Sequence, residues 1–239
     1  MKSILISSPG RCGMHWVADV LGDLLPLKKV KTRRRQDFRF LAQGAIMLTH
    51  DPITYFPFAA KEFKTIVVVR DPRDVVVSAA YYWMAKPPAD RDTLQRFWGM
   101  DEVPGDMNFD KILDILKLRG HNPLWWQAYL TTELPHFCIR YEDMWDHPRW
   151  TVSKALSFLA KEATEERIEQ ALRKQYKRRF LDKGRRLGQE DVNDHYRKGI
   201  IGDWENYFTE EENRAFCQRW SDVMEVLGYA VCDGMPFVW

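Results

Sequence analysis

The sequence predicts an α/β domain with a mainly parallel central sheet flanked by helices, and three observations carry that prediction. Short apolar runs rich in β-branched residues, such as "SILIS" at 3–7 and "TIVVVR" at 65–70, have the pattern of strands buried on both faces. Apolar residues at helical spacing follow the first of them: Val17, Val20, Leu21, Leu24 and Leu25. Each of the two strands ends in turn chemistry that leads directly into a helix, the arrangement of a parallel sheet with crossovers. At 239 residues the chain suits one sizeable core and is short for two, so a single domain over 1–239 is expected.

Taken in order, "SILIS" is the first strand and "SSPGRCGMHW" at 7–16 the turn that opens the first helix. "AIMLT" at 45–49 is a weaker strand candidate, and "TIVVVR" a strong one. Asp71-Pro72 then makes a turn, with proline suited to the first position of a helix that carries Ser78. The stretch 84–109 mixes Pro, Gly, charge and aromatics and reads as an acceptor-side insertion. "FCIRY" at 137–141 is a further weak strand. Thr209 to Glu212 has the form of a capping box, and Phe216, Trp220, Val223, Met224 and Leu227 give the helix it starts an apolar stripe.

Composition excludes several classes. A formal net charge of +2 does not suit a nucleic-acid binder, although Arg33–Arg35 and Lys177–Arg179 are local basic clusters, the latter read as a solvated helix face. No apolar run approaches the roughly 20 residues that cross a bilayer, and no signal-type segment opens the chain, so a cytoplasmic protein without membrane attachment is expected. The four cysteines, Cys12, Cys138, Cys217 and Cys232, lack paired spacing and read as reduced thiols. No acidic metal-binding pair accompanies the loop, and no metal is expected.

The chemistry-bearing residues gather where strands end. In a strand–turn–helix unit the backbone N–H groups of the turn and the helix N-terminus converge on an anion. Gly10 and Gly13 permit the close backbone approach, and Arg11 adds a permanent charge with a planar donor fork. The Gly-Lys-Ser/Thr ending of a nucleoside-triphosphate loop is missing. Arg70 and Ser78 repeat the logic around a second turn and suit a second anionic group. His50 alone is more often structural than catalytic, but an imidazole of pKa about 6.5 can take a proton from an alcohol near neutrality.

With these residues in view, the chain resembles the PAPS-dependent sulfotransferases, in particular a compact, bacterial-like member of the cytosolic type. PAPS is 3′-phosphoadenosine 5′-phosphosulfate, and its desulfated product is PAP. "SPGRCGMHW" is similar to the family's phosphosulfate loop, and "VVVRDPRDVVVSAAYYW" to its 3′-phosphate motif. "LTHDP" at 48–52, "YEDM" at 141–144 and "RKGIIGDWENYFT" at 197–209 follow in family order. The resemblance implies sulfuryl transfer from PAPS to a hydroxyl or amine of a small-molecule acceptor, with a P-loop-like phosphosulfate-binding turn. By motif position it assigns Arg11, Cys12, Gly13, Met14 and His15 to the phosphosulfate loop, and Trp16 and Tyr141 to the adenine. Arg70 and Ser78 fall to the 3′-phosphate, with Arg197, Lys198 and Gly199 closing over it, and His50 to the general base. Arg11 cannot release its proton, so it is expected as an electrostatic clamp. Cys12, Met14 and Leu48 depart from the family's usual polar residues and remove side-chain donors from the cradle.

The acceptor is expected to be aromatic or hydrophobic, with Trp83, Phe97, Trp98, Trp125, Trp126 and Tyr129 as candidates for its pocket; Trp125 and Trp126 suit the core equally well. Two other classes are compatible with an α/β core and an anion loop. One is a nucleotide or small-molecule kinase of P-loop type, which the missing lysine and metal-binding aspartate disfavour. The other is a non-catalytic module that binds PAPS or a polyanion.

Overall fold

The computed structural model describes residues 2–31, 44–55, 63–84, 108–179 and 198–229. In chain order these form β1 (Ser3–Ser7), α1 (Met14–Leu24), β2 (Lys28–Lys31), β3 (Ala45–Thr49), β4 (Phe63–Val69), α2 (Pro72–Met84), α3 (Phe109–Arg119), α4 (Pro123–Leu130), β5 (His136–Arg140), α5 (Tyr141–Asp146), α6 (Pro148–Phe158), α7 (Glu165–Arg179), α8 (Glu210–Arg219) and α9 (Ser221–Val226), with 3-10 turns at Ile53–Tyr55 and Asp203–Asn206. The chain divides into two compact units, one made of 1–70 and 131–186, the other of 71–130 and 187–239.

The first unit holds the sheet, in the order β2-β3-β1-β4-β5, and all four pairings are parallel. β1 and β3 coincide with the expected "SILIS" and "AIMLT", and every residue of both is buried. β4 begins two residues before the expected run, at Phe63, and ends at Val69, so that Arg70 is the first residue past the strand. β5 is shifted by one, to His136–Arg140, and Tyr141 opens the helix that follows. The β2 sequence, "KKVK", has no apolar run to signal it. It is an edge strand, where lysines are favoured because they discourage pairing with another chain.

The second unit is helical. Val76, Val77, Ala79, Ala80 and Trp83 of α2 pack with Ile112, Leu113 and Leu116 of α3 and with Phe208 and Phe216. Pro72 occupies the first position of α2, as the turn chemistry requires. Thr209 caps α8 in a reciprocal capping box with Glu212. The single helix expected after it is broken at Trp220 (φ −110°, ψ 22°), where the indole lies so close to Gly120 that a Cβ there would sit 2.5 Å from its Cζ2. Trp125 and Trp126 are fully buried, and Tyr129 stacks on Trp125 at 5.2 Å. The even choice between pocket and core is thereby decided for the two tryptophans in favour of core. Phe97, Trp98 and the greater part of the expected 84–109 insertion lie outside the described residues.

Candidate active site

A parallel sheet brings the C-terminal ends of its strands to one edge, and in the first unit four of those ends carry predicted site residues. β1 runs into the glycine turn, β3 into His50, β4 into Arg70 and β5 into Tyr141. The register fixes this alignment: Ser7 pairs with both Thr49 and Val67, and Val69 with Arg140.

Three of the four residues from 10 to 13 have backbone angles outside the ordinary range. Gly10 (φ 104°), Arg11 (φ 60°) and Gly13 (φ 82°) all adopt left-handed backbone angles. Arg11 bears this as a non-glycine residue, at a cost of about 1 kcal/mol. The first intrahelical bonds of α1 run from Trp16 and Val17 to the Gly13 carbonyl, at 2.8 and 3.3 Å. The N–H groups of Gly13, Met14 and His15 therefore precede the helix ladder and are suited to an anion. A Cβ on Gly13 would lie 2.7 Å from the Tyr141 ring, so glycine is required twice over, for φ and for space.

Cys12 and Met14, the positions expected to lack side-chain donors, are both turned into the interior. Cys12 is buried, and its thiol donates to the Gly10 carbonyl at 3.1 Å, so it braces the loop from within. Burial pushes that thiol up to about 12, outweighing the hydrogen bond with Ser8 and the nearby Arg70. It is neither a thiolate nor a nucleophile at neutral pH. Met14 is buried too, whereas Arg11 and His15 are partly exposed.

His50 is exposed at the end of β3 and is held there by three neighbouring contacts. Ser8 N–H donates to the Thr49 carbonyl at 3.2 Å, Ser7 Oγ donates to the Asp51 carbonyl at 2.8 Å, and Asp51 N–H donates to Thr49 Oγ1 at 3.0 Å. His50 Nδ1 lies 3.1 Å from the Ser8 carbonyl oxygen. A carbonyl only accepts, so Nδ1 carries the proton in this bond and the basic lone pair of the neutral ring is on Nε2.

Arg70 is buried, with its guanidinium 4.5 Å above the Tyr141 ring. Tyr141 in turn meets Trp16 at 5.9 Å and Trp145 at 6.3 Å, and the two tryptophans meet at 4.9 Å. Among the described residues Trp16 Nε1 is buried without a hydrogen-bond partner, a donor with a cost unless a ligand meets it. The solvated face expected for Lys177–Arg179 holds for Lys177 and Arg178, which are exposed, but not for Arg179. Arg179 is buried, donating to Asp19 at 2.6 Å and to the His15 carbonyl at 3.0 Å, while Lys29 also pairs with Asp19. A cation at the end of α7 thus ties down the first turn of α1.

In the second unit Ser78 is buried in α2. Lys198 and Gly199 lie ahead of the 3-10 turn at Asp203, and Arg197 is outside the described residues. Partial burial pulls the Lys198 ammonium down, but hydrogen bonds to Asp203 at 3.0 Å and to the Tyr207 hydroxyl at 3.4 Å outweigh it and hold it above the ordinary lysine value. Asp71 accepts from the Arg73 guanidinium at 2.7 and 3.0 Å, and Arg73 stacks on Trp204 at 3.8 Å. Sequence reasoning missed Arg73, Asp74, Trp145 and Arg179. Each has a partner distant in sequence, Trp204 for Arg73 and Asp74, Trp16 for Trp145 and Asp19 for Arg179, and only the helical position of Asp74, one turn before Ser78, offered a signal.

Two free thiols, Cys12 and Cys138, occur among the described residues, but Cys217 is disulfide-bonded, against the expectation of four reduced cysteines. No described helix is long and apolar enough to cross a membrane.

Comparison with known proteins places this arrangement. The sulfotransferase domain family matches residues 2–228. Mouse sulfotransferase 1 family member D1 is 28% identical over 254 residues, covering 93% of this chain and 83% of its own. Among solved structures, mouse sulfotransferase SULT7A1 complexed with PAP superposes with a TM-score of 0.66 at 21% identity, covering 93% of this chain and 84% of its own. Retinol dehydratase, solved with androsterone and inactive cofactor PAP, does so with a TM-score of 0.65 at 16% identity, covering 93% and 80%. With the family matched across both units and its fold reproduced, the chain belongs to the PAPS-dependent sulfotransferase family and is a sulfotransferase.

Proposed function

We propose that this sulfotransferase moves the sulfuryl group of PAPS to a hydroxyl or amine of a small hydrophobic acceptor, with His50 as general base and Arg11 as electrostatic clamp. The observation that carries the reading is the placing of His50: its Nδ1 is committed to the Ser8 carbonyl, leaving Nε2 as the basic atom beside the loop that the motif assigns to phosphosulfate. One domain spanning 1–239 performs the reaction.

In this reading the backbone N–H groups from Gly13 to His15 and the Arg11 guanidinium hold the phosphosulfate oxygens. Arg70, Ser78, Lys198 and Gly199, with Arg197, take the 3′-phosphate, and Trp16 and Tyr141 the adenine. Trp16 Nε1, buried without a partner among the described residues, fits a donor awaiting a polar ligand atom. As the acceptor oxygen bonds to sulfur, His50 Nε2 takes the acceptor proton, and the bond from sulfur to the phosphate oxygen breaks to release PAP. That oxygen leaves as a phosphate anion, which needs positive charge rather than a proton, and Arg11 supplies it. No residue in this scheme calls for a metal. Support for a hydrophobic acceptor comes from the androsterone bound to the structurally similar retinol dehydratase.

Thermal stabilisation tests the donor assignment. PAP is expected to raise the melting temperature and ATP with magnesium to leave it unchanged, whereas the reverse would favour a kinase. Stabilisation by PAP without any sulfated product across alcohols, phenols and amines would favour a binding module.

A further inference from the structure

The segment that follows Lys198–Gly199 is held by a buried carboxylate. Asp74 is 1% exposed, and its Oδ2 accepts from Gly202 N–H at 2.9 Å while Oδ1 accepts from Trp204 N–H at 3.0 Å. Both amides belong to the left-handed turn at Gly202 (φ 76°) that starts the 3-10 helix. Charge-assisted bonds to a buried carboxylate are among the stronger hydrogen bonds, and both of its oxygens are used for the same short turn. Arg73, beside it in sequence, stacks on Trp204, donates to Asn213 Oδ1 at 3.0 Å and is itself held by Asp71. On either side of the turn, Lys198 is tied to Asp203, and Tyr207 to Tyr81 of α2 at 2.9 Å.

Asp74 and Ser78 are four residues apart on α2 and therefore share one face of the helix. The carboxylate that fixes the 202–204 turn sits one helical turn from the hydroxyl assigned to the 3′-phosphate. We infer that Asp74 is a positioning residue for 3′-phosphate recognition: by gripping the Gly202 and Trp204 amides it sets Lys198 and Gly199 in register with Ser78 before the donor arrives. This rests on the proposed donor site, and it adds that selectivity for the 3′-phosphate is set through a residue that does not touch it.

The test is calorimetric binding of PAP and of adenosine 5′-phosphate to wild type and to Asp74→Asn. An amide cannot accept both backbone N–H groups with its two ends, so one bond is lost and its donor faces another donor. Asp74→Asn is expected to weaken PAP about tenfold while changing adenosine 5′-phosphate less than twofold. A merely structural role would weaken both alike. If the wild type binds the two nucleotides equally, the 3′-phosphate reading falls and the inference with it. If the wild type discriminates and Asp74→Asn keeps the full ratio, the inference alone is overturned. Should Asp74→Asn not fold, hydrogen exchange on the wild type decides: slow exchange of the Gly202 and Trp204 amides without ligand is expected, and amides protected only after PAP is added contradict a turn set in advance.

Discussion

The glycine turn at 10–13 and the C-terminal segment from Lys198 to Thr209, each proposed to contact the anionic donor, are built in opposite ways. The loop uses its backbone: left-handed angles at Gly10, Arg11 and Gly13, and helix N–H groups ahead of the first intrahelical bond. Its apolar departures are turned inward, Cys12 toward the Gly10 carbonyl and Met14 into the core. The C-terminal segment instead depends on charged side chains, with Asp74, Arg73 and Asp203 holding the chain and Lys198. The difference teaches where substitution is tolerated. A backbone cradle can lose polar side chains provided its angles survive, whereas a segment held by buried charges loses its position with one carboxylate.

Substitutions sharpen that contrast in order of size. His50→Ala removes the proposed base but neither proposed anion site, so turnover should fall about 10²-fold or more while PAP affinity stays near wild type, as steady-state rates and calorimetry would show. Retained turnover would break the assignment of the base. Arg70→Ala should weaken PAP roughly thirtyfold and adenosine 5′-phosphate much less, because a buried guanidinium bonded to phosphate is a charge-assisted contact; equal losses would count against a 3′-phosphate role. Gly13→Ala should cost PAP affinity about tenfold, since the left-handed angle and the Tyr141 ring both oppose a Cβ. Wild-type affinity in that variant would show that the backbone angles do not govern the cradle.

The smallest effect belongs to Cys12→Ser. The hydroxyl can keep the bond to the Gly10 carbonyl, so donor affinity should stay within about twofold of wild type. Its readout is alkaline stability. The thiol's folded value, raised by burial to about 12 from 9.0, makes the unfolded chain the better acid, so its contribution is fully present below pH 9 and is lost as pH climbs toward 12. The free energy of unfolding measured across that window should fall more steeply for wild type than for Cys12→Ser, and parallel curves would show that burial does not control the thiol.

The sheet was legible because its inner strands are continuous apolar runs; "SILIS" and "AIMLT" match β1 and β3 end to end. β2 was not, since an edge strand of "KKVK" has neither run nor alternation and is defined by its pairing with β3. The positions of Arg11 and Arg70 past the ends of parallel strands followed from turn chemistry within a few residues of each, whereas His50 and Tyr141 were legible only through the motifs "LTHDP" and "YEDM" that carry the family resemblance. Arg179 and Asp74 escaped because their meaning lies in partners far along the chain: the His15 carbonyl for one, the Gly202 and Trp204 amides for the other. The break at Trp220 was hidden for the same reason, since Gly120 is what its indole packs on.

The most direct measurement is mass spectrometry of acceptors incubated with PAPS and the enzyme. A panel of phenols, aliphatic alcohols and amines should yield at least one product heavier by a single sulfuryl group, with PAP formed in equal amount and the yield sharply reduced for His50→Ala. No sulfated product from any acceptor, with PAP still bound, would contradict the account.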